Sequence, residues 1–142
     1  MNSAYSNWTR LWYAILFSTL ILNTLSAKAR VDSTQLSESR LAFKNLDDNA
    51  RIARMSSLIE LGRQTSIPQA FETKFEIFRQ EHQLNENSFR KSVHIVRALF
   101  SNQVSIIDKI LLADFIELIE DPAFFPVDII REIRFDLIYN KQ

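Results

Sequence analysis

Three groups of side chains in this sequence are spaced to act together. The first is Arg90, Lys91, His94 and Arg97. Steps of three and four residues stack Arg90, His94 and Arg97 on one helix face. A histidine between two arginines is disfavoured in its protonated form by their charge. Such a face is a candidate site for an anion or a carboxylate. The blander reading is a solvated face whose arginines pair with neighbouring acids, where exposed pairs contribute little.

Asp114, Glu117 and Asp121 form the second group, on an otherwise apolar segment. Oxygen-rich clusters suit calcium or magnesium. A single helix face seldom wraps a hard cation, however, and the Asp-x-Asp-x-Asp-Gly loop is missing. These acids are therefore expected to be the wet strip of a buried helix, salt-bridged to Arg90 or Arg97, and no metal is expected. The third is His82, at the end of a phenylalanine stripe. It suits pH sensing, or it is a core-edge histidine with one ring nitrogen bonded to a carbonyl.

Composition removes much other chemistry. The chain has 142 residues with one glycine, no cysteine and two histidines. One glycine cannot build a Gly-x-Ser-x-Gly elbow or a phosphate-cradling loop. Zinc would need carboxylates beside two histidines on different helices, so no cofactor is expected. With 17 basic and 17 acidic residues, no global electrostatic footprint for nucleic acid exists.

One short likeness bears on catalysis. The segment "FKNLDDNAR" resembles the Lys…Asp-x-x-Arg segment of secreted chorismate mutases, with Lys44, Asp48 and Arg51 in the matching places. The resemblance implies an all-helical, metal-free enzyme that surrounds a dicarboxylate with cationic side chains. It covers nine residues; the Lys-to-Asp spacing is shorter, no acid follows Arg51, and the long arginine-bearing first helix is missing.

These residues need elements to hold them. Arg10 is the only charge before Lys28, and "LWYAILFSTLILNTL" follows it, then Ala27-Lys28-Ala29. A charged start, an apolar run and an A-x-A site are the parts of a secretory signal peptide. The run is shorter than the ~18–20 apolar residues that span a bilayer comfortably. Cleavage after Ala29 is expected, with Ala27 and Ala29 as the small cleavage-site residues. The alternative is an uncleaved anchor through residues 11–27. Either places the functional part outside the cytoplasm, and the absence of cysteine fits a periplasm best.

Residues 30–39 are polar and read as a flexible lead-in to a helical domain over 40–142. A short first helix is expected from Arg40. Ile52, Met55 and Ile59 make the next stripe, with Gly62 as its C′ glycine. Ser66 and Gln69 have capping-box spacing ahead of a ridge of Phe71, Phe75 and Phe78. Phe89, Val93, Val96 and Phe100 form the apolar face opposite the basic one. Residues 105–121 are apolar almost all round, so that helix is central, and a last helix starts at Val127 after Pro126. Further expected core residues are Ile107, Leu111, Phe115, Leu118, Ile130, Ile133 and Leu137.

The expected fold is all-α: a single small antiparallel bundle of five or six short helices after the signal peptide. The function these features favour is an exported, non-catalytic interaction protein (adaptor, inhibitor or chaperone-like) that binds a protein partner through an apolar helical surface. Two alternatives stand: a small cofactor-free helical enzyme on an anionic substrate, or a membrane-anchored envelope component.

Overall fold

The computed structural model describes residues 28–29 and 31–140. The rest of the leader, Ala27 included, lies outside the described residues. Six helices carry the fold: α1 (Ser33–Lys44), α2 (Asp48–Leu61), α3 (Gln69–His82), α4 (Glu86–Leu99), α5 (Ile106–Ile119) and α6 (Val127–Ile138). The extended pairing among the described residues is two residues long, β1 (Lys28–Ala29) antiparallel to β2 (Tyr139–Asn140). The all-helical bundle is thus the observed architecture. No helix among the described residues is long and apolar enough to cross a membrane.

Four helices start on a side-chain cap. Asp32, Asp47, Asn85 and Ser105 each accept a backbone N–H of the first turn, filling an otherwise orphaned donor. The caps of α3 and α6 are Pro68 and Pro126, with no side-chain cap bond. The expected Ser66–Gln69 capping box is therefore not formed, because the helix begins only at Gln69. At its other end Gln83 turns left-handed (φ 52°) and the Leu84 N–H closes back on the Arg79 carbonyl at 3.1 Å.

The lead-in is corrected as well. Residues 33–39 are the opening turns of α1, because Asp32 accepts from the Thr34 and Gln35 amides at 2.8 and 3.2 Å. Leu36 and Phe43 bury on one face, and Arg40 occupies the place between them that an apolar residue would have marked.

α5 is the centre. Ile110, Leu111, Leu112 and Ala113 are consecutive and all buried, so neighbours cover its middle turn from every side. α6 makes its most extensive packing partner, and α2 with α4 forms the next most extensive pair. α1 also lies on α5. Phe43 meets Phe115 edge-on across that contact, with ring centroids 5.9 Å apart.

Two expected stripes are rotated. In α4 the buried side chains are Ser92, Ile95, Val96, Ala98 and Leu99, while Phe89, Val93 and Phe100 are only partly covered. In α2 they are Met55 and Leu58, and Ile52 is 54% exposed. The end of α2 meets α4 closely where its cap residue, Gly62, lies against the Ala98 backbone. Leu118, expected in the core, stands out into solvent at 82% exposure.

Candidate functional site

The basic face of α4 does not converge on one point. Arg90 pairs with Glu86 at 3.2 Å, one turn back, and Lys91 reaches Glu120 at 3.2 Å. Arg97 donates through Nη1 to the Arg63 carbonyl at 3.2 Å. Burial, and then the charges of Arg63, Arg97 and Arg90, hold the His94 imidazole below its ordinary pKa, against a smaller opposing pull from Glu60. The direction is the one expected, with burial as the largest single cause and Arg63 as an unexpected third arginine. Of the candidate trio Arg90, His94 and Arg97, Arg97 lines the cleft of about 740 Å³ between α3 and α4.

Ser88 and Lys91 of α4 have Ser-x-x-Lys spacing. Lys91 reaches toward Glu120, and the Ser88 amide is spent on the Asn85 cap. His82 is exposed; its Nδ1 lies 3.1 Å from the Phe78 carbonyl and its ring stacks on Phe78 at 4.1 Å.

The carboxylates of α5 are taken up by arginines other than those expected. Asp114 accepts from Arg40 of α1 at 2.8 Å and from Arg134 of α6 at 2.9 Å. Glu117 takes Arg131 and Arg134, each at 2.5 Å. Asp121 caps the following turn by accepting from the Ala123 amide at 2.9 Å. The wet strip is thus a clamp that ties α1 and α6 to the central helix. Arg90 and Arg97 bond elsewhere, to Glu86 and to the Arg63 carbonyl.

The concave apolar surface lies elsewhere, where α1, the start of α2 and the second half of α5 meet. This groove has a volume of about 520 Å³. Phe43, Leu111 and Phe115 make its floor, and Leu118 and Ile119 continue it outward. The last two are 82% and 54% exposed, an uncommon state for two adjacent large apolar side chains. Its rim carries Arg40, Lys44 and Arg51 against Asp48 and Asp114.

The segment resembling chorismate mutases is therefore part of this rim, and α1 does supply an arginine beside it. Arg51 is occupied, however. Its guanidinium donates to the Lys44 carbonyl at 2.9 Å, to the Leu46 carbonyl and to Asp48. It closes the α1–α2 turn, and Arg40 is committed to Asp114. The sequence did hold a signal for this groove: Leu36, Arg40, Phe43 and Lys44 have helical spacing. Only Leu36 falls within the expected lead-in of residues 30–39, so the stripe is cut at its amino end, where the expected first helix starts at Arg40. Comparison with protein-family models, curated proteins and solved structures finds no match to this chain.

Proposed function

We propose that this chain is an exported, non-catalytic interaction protein that receives a helix of a partner protein in the α1/α2/α5 groove. The observation that carries this is the exposure of Leu118 and Ile119 beside an apolar floor. A helix that lays an apolar stripe into such a groove removes both from water, and each large side chain buried contributes about 1.5–3 kcal/mol. The α3 ridge is the poorer candidate for such a surface, because Phe75 is buried and Phe71 and Phe78 are half-buried. Export rests on the leader sequence alone: Arg10, the apolar run and the Ala27-Lys28-Ala29 site.

The test is a photo-crosslinking residue at position 118 in the native host, with the crosslinked partner identified, purified and titrated. Leu118→Asp should leave the melting temperature unchanged and weaken that partner at least tenfold. Equal affinity of the variant would end the groove reading.

The enzyme alternative keeps one observation in its favour, that Arg40, Lys44 and Arg51 share a groove. Against it, two of the three cations are tied up internally. Titration with small dicarboxylates, followed by NMR, separates the two. Saturable shifts centred on Lys44 would favour the enzyme.

A further inference from the structure

The chemistry of the occupant can be read from the charges on the groove, an inference that rests on the docking role proposed above. Three cations and two carboxylates line it. Both carboxylates are already engaged, Asp48 by Arg51 and Asp114 by Arg40 together with Arg134. Lys44 is the remaining charge. It is exposed at the last turn of α1 and has no carboxylate partner among the described residues. The Arg40 side chain is itself 42% exposed, on the same face of α1 as Phe43 and Lys44. An apolar floor thus has one uncompensated positive charge, Lys44, on its α1 side, beside the paired but half-exposed Arg40.

We infer that the groove accepts an amphipathic helix whose apolar stripe is flanked by acidic side chains, with a carboxylate meeting Lys44. A basic or neutral flank would leave Lys44 facing like charge or none. Complementary charge of this kind selects partners and speeds encounter more than it adds raw affinity.

The experiment uses three synthetic helical peptides that share one leucine stripe at i, i+3, i+4 and i+7. Their flanking positions carry Glu, Gln or Lys, and each is titrated against the purified full chain. The Glu peptide should bind about tenfold tighter than the Lys peptide, equivalent to about 1.4 kcal/mol. That gap should shrink with added salt, since rim charges are screened. Lys44→Glu should reverse the order of the three peptides, and Lys44→Gln should flatten it. Circular dichroism checks that both variants fold.

The outcomes separate the two claims. Equal binding of all three peptides, abolished by Leu118→Asp, overturns the charge inference and leaves the groove reading standing. Absence of binding by every peptide, or binding insensitive to Leu118→Asp, overturns the groove reading itself. Lys44-dependent binding to phosphatidylglycerol vesicles, with the Glu peptide ignored, assigns the surface to a membrane and overturns the helix partner.

Discussion

Gly62 and Ala98 touch backbone to backbone: a β carbon at position 62 would lie 2.3 Å from the Ala98 Cα and 2.7 Å from its nitrogen. Gly62 has φ −90° and ψ 2°, a conformation open to any L residue. The glycine is therefore there for space, not for a left-handed turn. The end of α2 is thus packed directly against the backbone of α4.

Gly62→Ala should destabilise the protein by about 1–3 kcal/mol or more, as overpacking does. Urea unfolding measures it. Ala98→Gly in the same chain should fail to rescue the loss, because the collision is with the Ala98 backbone. Full rescue would place the clash at the side chain instead.

Asp114 holds two arginines from two helices, so its loss should exceed the loss of either. Asp114→Ala leaves Arg40 and Arg134 without their shared acceptor and should cost about 1–3 kcal/mol, the range for a hydrogen-bonded charge. Arg40→Ala, which removes one half-exposed pair, should cost about 1 kcal/mol or less. A denaturant series on both single variants and the double variant gives the coupling. Equal costs would show that the clamp is not shared.

Two groups make stability depend on pH in the same direction. Burial alone would push the Glu117 carboxyl up, but hydrogen bonds and charge from Arg131 and Arg134 outweigh it and hold the carboxyl below its usual range. Its contribution is full above the unfolded carboxylate value and is lost as pH falls through the folded one. His94 is held below 6.5 by burial first and then by Arg63, Arg97 and Arg90. The unfolded chain thus takes up that proton first, and stability declines as pH falls from about 6.5 toward the folded value. His94→Gln should flatten the melting-temperature profile in that upper window, and Glu117→Gln only in the acid limb. A melting temperature unchanged from pH 7 to 5 in the parent chain would contradict the His94 assignment.

The helices were legible in the sequence where apolar periodicity was unbroken and a cap residue preceded it, as in α4 and α5. Faces were less legible. The large residues of α4, Phe89, Val93 and Phe100, drew the stripe to one side, while the actual contact runs through Ser92, Ile95 and Ala98. Small residues carry no hydropathy signal, yet they permit the closest approach. The groove was hidden for a related reason. It joins residues of α1 to residues more than 70 positions away, as the Arg40–Asp114 contact does, and no local spacing encodes such a pairing. The basic trio was visible as a pattern, but its partners Glu86 and Arg63 were not.

The helix most open to local unfolding is α3. It buries a single side chain, Phe75, while Phe71 and Phe78 are only half-covered. Its other ties are peripheral and include the Phe71–Phe100 ring contact at 5.3 Å, the Arg79 guanidinium over the Phe89 ring at 4.6 Å, the Lys74–Glu132 pair at 2.7 Å and the Arg79–Glu86 pair at 3.0 Å. Exposed pairs of that kind add about 1 kcal/mol at most. A helix fixed by one anchor should open as a unit before the rest of the fold. Phe75→Ala removes an anchor of the kind whose loss costs about 3–5 kcal/mol when a core cannot collapse around it. The measured loss should fall below that range, because the chain can instead release α3. Hydrogen exchange separates the two cases. Amides of 72–82 should lose protection in Phe75→Ala while those of 110–116 keep most of theirs. Loss of protection in both helices together would mean that α3 is integral to the core, and the account of α3 as a single-anchor element would fail.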